Sequence, residues 1–430
     1  MRRNIFALGL LEWQRKELET IAEARELDFY SLLTWDELVG QRLGFDELLE
    51  RARQQLGEFG GKPDAFICHW DFPSSCLAPV LSAEYGLPAP SLESVLKCEH
   101  KYWSRLEQQR CVPECTPDFQ ALDPFDPEAA DKLRLEFPIW LKPVVGYSSM
   151  LGFYIENRNQ LESALEEMRE HVGELGRPFD ECLRHAHLPA EVAGIGGGHA
   201  IAETIMSGDQ FAPEGYVLDG QMRIHGMFDM LLDQDGKAVL GLRYPANLPS
   251  SLEKRTTDVC RRVLEQVGFD NGCFNIEFLW DEAADKLWVI EVNTRISQSH
   301  CELFRLVDGM SNHEIAVSVA LGHEPHLPHE RGPNETAAKF VLTKRDDAEV
   351  TRVPTEEELK ELSGQLGDAL IEIGVTEGQR LSDIPGQPVY CFNLGEAWIG
   401  ADSIDELMER YRELVRRLPI EFSDDRHLEP

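Results

Sequence analysis

The stretch FNIEFLW (274–280), the acidic interruption DEAAD (281–285) and KLWVIEVNTR (286–295) decide how the rest of the chain is read. Two runs rich in Phe, Ile, Trp and Val on either side of a short polar break predict a β-hairpin. Each strand carries one carboxylate where a purely structural core would have none. With Asp281 to Asp285 as the turn, Trp280 faces Lys286 and odd-numbered residues face odd-numbered ones. Glu277, Glu291 and Asn293 then share a face. Glu277 and Glu291 become diagonal neighbours about 7–8 Å apart at the backbone, within reach of one ion. Magnesium is bound by one or two carboxylates plus phosphate and water oxygens, so two Glu and an Asn amide oxygen suit it. Arg295, two residues on, offers a planar fork of donors to a phosphate or to charge developing in a transition state. The same residues also suit a hairpin with one solvated face.

A chain of 430 residues is too long for one ordinary core and predicts several domains. Its 42% apolar and 28% charged residues are globular values. The run IFALGLL (5–11) is short and lacks a small-residue cleavage site, so it reads as a first strand and not a signal peptide. Ten cysteines without a C-x-x-C spacing imply reduced thiols and a cytoplasmic setting. A formal charge of −35 opposes nucleic acid and anionic membrane as partners. Lysine is scarce: none occurs between Lys142 and Lys237.

Working outward, residues 4–9, 29–33 and 65–69 read as strands, with amphipathic helices at 13–24 and 45–59 between them. This β-α-β-α-β order predicts a small open parallel sheet, with the segment from Cys68 to Asp71 at a strand end. Pro88 and Pro90 mark a boundary, and 91–109 reads as one helix containing Lys101. A proline-rich passage leads to a strand ending at Lys142, then to a loop of small residues from Gly146 through Tyr147, Ser148 and Ser149 to Gly152. A strand at 153–155 and a helix at 160–171 follow. Strand, small-residue loop, strand suits a backbone flap over phosphates and equally suits a plain hairpin. It is not a Walker A loop, which runs into a helix. The loop Gly194 to Gly198 precedes a strand, not a helix, which excludes a dinucleotide fingerprint. Further strands at 201–206, 224–232 and 238–242, a helix at 251–267 and the opening hairpin are antiparallel in order. A last α/β piece occupies 337–430.

Taken together, Glu277 and the EVNTR segment (291–295), preceded by these parts in this order, resemble the ATP-grasp enzymes over about residues 1–330. The resemblance implies an α/β and α+β multidomain chain. It would comprise a Rossmann-like pre-ATP-grasp domain at 1–95, an ATP-grasp domain at 96–330 with a mobile lid at about 135–205, and a C-terminal α/β domain at 331–430. It implies that Lys101 and Lys142 bind nucleotide phosphates under a flap of Gly146, Tyr147, Ser148 and Ser149. Glu203 with Ile205 and Met206 would hold adenine, and Glu214 the ribose. Glu277, Glu291 and Asn293 would hold metal, and Arg295 and Lys142 would serve catalysis. The implied cofactors are ATP and Mg2+, with Mn2+ as a substitute. The implied reaction is ADP-forming ligation of a small carboxylate to an amine through an acyl phosphate, as in carboxylate-amine ligases. A homodimer is left open. Biotin carboxylase continues this segment into a glutamate that handles bicarbonate, whereas Ser297, Gln298 and Ser299 stand here. No A-M-K-M-like biotin segment occurs either, so ligation is implied over carboxylation. A nucleotide-binding regulatory protein without turnover, or a biotin-independent carboxylase-like enzyme, is the alternative.

Overall fold

The computed structural model describes residues 2–147, 150–232, 239–327, 332–384 and 391–424. Contacts divide the chain into two units, one of Met1–His225, Leu248–Gln298 and Asn312–His326, the other of Gly226–Asn247, Ser299–Ser311 and Leu327–Pro430.

The first unit begins with strands β1 (Arg3–Leu8), β2 (Leu27–Leu32) and β3 (Ala65–Cys68), parallel and in the order β2-β1-β3. Parallel strands are covered on both faces, which is why they were legible as short apolar runs. The helix Ser74–Tyr85 that follows β3 was not expected. It contains Pro79 and buries Ser74, Ser75, Cys76, Leu77, Ala78, Leu81 and Ser82, so it shows no one-sided apolar stripe.

A second sheet in this unit is antiparallel, with β4 (Phe119–Leu122), β5 (Ile139–Pro143), β6 (Phe153–Ile155) and β7 (Ala200–Thr204) in the order β4-β7-β5-β6. It has a core of its own, in which Leu141, Ile155 and Ala202 meet Leu161, Leu165 and Met168 of the helix Arg158–His171. Asn157 caps that helix by accepting the Gln160 N–H at 3.1 Å. Strand β4 had read as loop because its four residues lie among prolines. The flap residues Ser148 and Ser149 lie outside the described residues.

Strands β8 (Asp209–Leu218) and β9 (Gln221–Leu232) come next, then β10 (Val239–Tyr244), and the opening stretch is β11 (Gly272–Asp281) and β12 (Lys286–Asn293). Within the first unit the order is β12-β11-β8, followed by β9 as far as His225. Close approach at the start of β8 requires glycine: Gly208 has φ +125°, and a Cβ there would stand 2.3 Å from the Trp280 carbonyl carbon.

The second unit continues with β13 (Thr336–Lys344), β14 (Val350–Arg352), β15 (Leu370–Ile373), β16 (Phe392–Ala401) and β17 (Glu421–Phe422). Its main sheet has the order β9-β10-β13-β16-β15, with β14 pairing β17 apart from it. Tyr411 of the helix Ile404–Arg417 stacks on Phe340 at 4.1 Å between ring centroids. The α/β piece read from 337 onward is therefore larger than its sequence span. Strand β10 pairs β13 across 92 residues of chain in register Tyr244 to Ala337, a separation that no local pattern reveals.

Candidate active site

The hairpin is present, but its register differs from the expected one. The strands turn at Glu282 to Asp285, so Asp281 pairs Lys286 and Trp280 pairs Leu287. Asp281 tightens that turn by accepting the Ala284 N–H at 3.0 Å, and Asp285 supplies a left-handed φ of 49°. Continued unbroken, this register would set Glu277 against Ile290 and send the two glutamates to opposite faces. A β-bulge absorbs Ile290 instead: Phe278 pairs Val289 and Glu277 pairs Glu291. Glu277 and Glu291 are thus directly opposed, not diagonal, and Asn293 stands opposite Asn275 two pairs further along, on the same face.

A bulge leaves carbonyl groups unpaired, and Arg105 collects them. Its guanidinium donates to the Val289 and Ile290 carbonyls at 2.8 and 2.9 Å. It also donates to Glu203 Oε1 at 2.6 Å and Gln108 Oε1 at 2.5 Å, and is 2% exposed. The other Glu203 oxygen lies 2.9 Å from Lys142 Nζ. Burial alone would raise the Glu203 carboxyl, but Arg105 and then Lys142 hold it down at about 2. Burial also pulls the Lys142 ammonium down, against Glu203. Arg105 was missed in the sequence because it looks like one polar residue on a helical face.

Lys101 enters from a break that the single expected helix 91–109 did not contain. The chain forms Leu92–Glu99 and Lys101–Cys111, with His100 extended between them at ψ 94°. The His100 ring caps the second helix by accepting the Trp103 N–H at 3.1 Å, and its Nε2 meets the Ile195 carbonyl at 2.8 Å. The Lys101 N–H donates to Val144 O at 2.9 Å, next to the flap. Its ammonium reaches Glu291 Oε1 at 2.7 Å and Gly146 O at 2.6 Å. Burial would raise Glu291, yet Lys101 and Lys142 keep it below the usual carboxylate range. Glu277 makes no ion pair of this kind among the described residues, and the pull of Arg295 on it is weaker than burial and Glu291. The Glu277 oxygens accept from Gln210 at 3.0 Å and Asn293 at 3.3 Å, and burial followed by Glu291 pushes its carboxyl up to about 7.

On the far side, Arg295 forms a bidentate pair with Asp71 at 2.7 and 2.9 Å. Glu99, the last residue of its helix, feels Asp71, Lys101 and Glu291, and burial followed by Asp71 brings it to about 7. Asp71 was placed only at a strand end by the sequence, and Glu99 was missed. Glu99 stands two residues before Lys101, the one signal that could have found it.

Lys101, Lys142, Gly146, Tyr147, Glu203, Ile205, Met206, Glu277 and Glu291 all line one cavity of about 500 Å³. Trp140, Tyr154, Leu279 and Ile290 give it apolar walls. Asn293 touches it through Glu277. The structure does not bring Glu214 there: it is 0% exposed, and its carboxylate accepts the Ser297 N–H at 3.0 Å and the Asn312 amide at 2.7 Å, with His225 at 3.4 Å. That carboxylate ties the segment after Arg295 to β8, so the sugar end of a nucleotide in this cavity would have other neighbours.

Among the described residues no group of three or more His, Cys, Asp or Glu is gathered for a metal. Glu277 and Glu291 do fit a hard divalent ion, because they press two carboxylates together on one face and supply oxygens only. Such a pair leaves coordination positions for phosphate and water.

A family model for the ATP-grasp domain matches residues 135–302. The D-alanine–D-alanine ligase of Pseudarthrobacter chlorophenolicus is 25% identical over 186 residues, 39% of this chain and 41% of that ligase's length. The structure of an L-amino acid ligase from Bacillus licheniformis superposes with a TM-score of 0.72 at 18% identity, covering 98% of this chain and 99% of the other. N5-carboxyaminoimidazole synthase from Aspergillus clavatus gives 0.64 at 14% identity over 96% and 98%. Biotin carboxylase from Campylobacter jejuni gives 0.59 at 16% identity over 97% and 92%. No helix among the described residues is long and apolar enough to cross a membrane. Residues 135–302 are an ATP-grasp domain, and the chain that carries them has the fold of the ATP-grasp proteins.

Proposed function

We propose that this chain is an ADP-forming ligase that uses ATP and magnesium to join a small carboxylate to an amine. The observation that carries the reading is the floor of the 500 Å³ cavity, where Glu277 and Glu291 stand directly opposed under Lys101 and Lys142. Phosphoryl transfer asks a protein mainly for positioning and charge neutralisation, and these side chains are of the right kind for both. Glu277, Glu291 and Asn293 would hold magnesium, which supplies neutralisation of the transferred phosphate when bound. The Asn293 amide would turn its oxygen inward for this. Lys101 and Lys142 would leave their carboxylates for phosphate oxygens, and Ile205 and Met206 would border the base. Arg295 would meet the substrate carboxylate and the transferred phosphate together, with Asp71 holding its fork in plane.

Ser297, Gln298 and Ser299 stand where biotin carboxylase has the glutamate for bicarbonate, which favours an amine as acceptor. The test is ADP release with Mg2+ and ATP in the presence of pooled L-amino acids, with mass detection of the product. It runs beside bicarbonate plus free biotin. Release and an amide product are expected with the amino acids. Release with the second pair alone identifies a carboxylase, and release with neither, despite tight ATP binding, identifies a binding protein.

A further inference from the structure

Beside the Arg295–Asp71 pair lies a small second cavity, about 30 Å³, walled by Trp35, Trp70, Phe72 and Tyr147 with Asp71 and Ser74 between them. Tyr147 also lines the large cavity, so the two share this residue. The aromatic walls are braced from behind. The Trp35 and Trp70 rings lie 4.0 Å apart at a tilt of 42°, and the Trp70 indole N–H donates to the Gly9 carbonyl at 3.4 Å. Phe72 stacks on Phe45 at 6.1 Å and meets the edge of Phe179 at 5.1 Å. A Cβ on Gly9 would stand 2.7 Å from Leu38 Cδ1 and 3.6 Å from the Trp70 ring, so the support under Trp70 is itself tightly packed. Two polar groups interrupt the apolar lining. One is the Asp71 carboxylate, which keeps lone pairs after its bond to Arg295. The other is the Ser74 hydroxyl, 1% exposed and without a hydrogen-bond partner among the described residues.

We infer that this cavity is the side-chain subsite of the carboxylate substrate and that Trp35 and Trp70 set its size limit, selecting an α-amino acid with a small apolar side chain. The inference rests on the ligase reading for the orientation of the substrate. A carboxylate at Arg295 places the neighbouring carbon beside Asp71, where an α-ammonium finds a negative oxygen and the Ser74 hydroxyl. The side chain then points between the indoles. A cavity needs about 10–15 Å³ of this kind of volume for one water. The space between the indoles therefore suits two or three heavy atoms and no aromatic ring. Apolar walls favour alanine or valine over serine, whose hydroxyl would lose its water there.

The experiment measures binding and turnover separately. Calorimetry with Mg2+ and a non-hydrolysable ATP analogue follows alanine, valine, leucine and phenylalanine on wild type, Trp35→Ala and Trp35→Phe, all checked for native circular dichroism. Wild type should bind alanine or valine at least tenfold more tightly than phenylalanine. Trp35→Ala should shift the phenylalanine-to-alanine affinity ratio by tenfold or more, and Trp35→Phe, which is the safer variant for folding, should shift leucine alone. The same ratios in kcat/KM are then read from ADP release. Ratios that move less than threefold in folded variants, or wild type that binds no amino acid, overturn the subsite. Discrimination in binding without ADP release with any amino acid would leave the subsite standing and remove the ligase reading.

Discussion

Replacing Arg105 with methionine removes one guanidinium and strands four acceptors at once. Glu203 would lose its nearer partner but keep Lys142 at 2.9 Å, which limits the cost of its buried charge. The Val289 and Ile290 carbonyls would lose their side-chain donor, and each buried carbonyl left unsatisfied costs about 1–3 kcal/mol. Removing one partner of a buried ion pair costs about 3–5 kcal/mol when the other is left alone. With Lys142 still present, a total of about 3–5 kcal/mol is expected, with no discount for solvent because both partners are nearly unexposed. A chain of two units need not unfold in one step, so a global melting curve is the wrong readout. Hydrogen exchange of the peptide spanning 272–293 reads the opening of the hairpin itself. At about 1.4 kcal/mol per factor of ten, its slowest amides should exchange roughly a hundredfold to several thousandfold faster in the variant. The double variant Arg105→Met/Glu203→Gln should recover part of the loss, because the stranded charge goes with its partner. Acceleration below about tenfold, or a double variant as labile as the single one, would refute the idea that Arg105 holds the bulge.

Glu291→Gln should keep the fold and lose nearly all ADP formation at saturating magnesium, and chelation of divalent ions should do the same to wild type; a wild-type rate in either case removes the metal assignment. Arg295→Lys keeps a charge but loses the fork that Asp71 orients, so kcat should fall about tenfold or more, the loss of about 1.4 kcal/mol of transition-state stabilisation, with a smaller change in ATP affinity. For pH, Glu277 stands at about 7 in the folded chain against 4.5 for an ordinary glutamate, so between those values the folded state holds a proton that the unfolded chain has released. Its contribution therefore falls as pH rises from about 4.5 to 7, and the hydrogen-exchange protection of the 272–293 peptide in metal-free wild type, relative to Glu277→Gln at the same pH, should fall across the same window; a flat difference contradicts it. The lid expected at about 135–205 has a core of its own, and it should be cut more slowly by protease when Mg2+ and an ATP analogue are present, whereas equal cutting speaks against closure.

Much of the fold was legible because apolar runs and turn residues mark strands wherever burial is local. The parallel sheet of β1, β2 and β3, the helices near 45–58 and 250–267 and the hairpin at 272–293 all follow from such patterns. The register of the hairpin did not, because it turns on one bulged residue, Ile290, that has the composition of any strand residue. The carbonyls at the bulge meet Arg105, which lies 185 residues away and has no local feature to mark it. Asp71 and Glu99 were hidden for a like reason: Arg295, which pairs with Asp71, and Asp71, the first charge felt by Glu99, are distant from them in sequence. Glu214 misled in the opposite direction. The ATP-grasp resemblance implies a ribose contact for it, whereas its surroundings bury it completely against Ser297 and Asn312.

The charge pattern of the site gives these scattered residues one physical purpose. Lys101, Lys142, Arg105 and Arg295 each lie against a carboxylate, so the site holds its cations in internal pairs. Glu277 and Glu99 remain, both raised toward neutrality because burial and a neighbouring carboxylate disfavour their charge. A polyphosphate arriving alone would have to pull Lys101 from Glu291 and Lys142 from Glu203, leaving buried carboxylates uncompensated next to its own negative oxygens. Under the proposed function, Glu277 and Glu291 would hold a divalent ion, and with its charge beside Glu291 the Lys101 ammonium would be free to turn to phosphate. Nucleotide and metal would then bind together, with Lys101 and Lys142 giving up Glu291 and Glu203 for phosphate in the same event. The direct opposition of Glu277 and Glu291 created by the Ile290 bulge would make that exchange available, and Arg105, which donates to the Val289 and Ile290 carbonyls, is the residue expected to keep it in register.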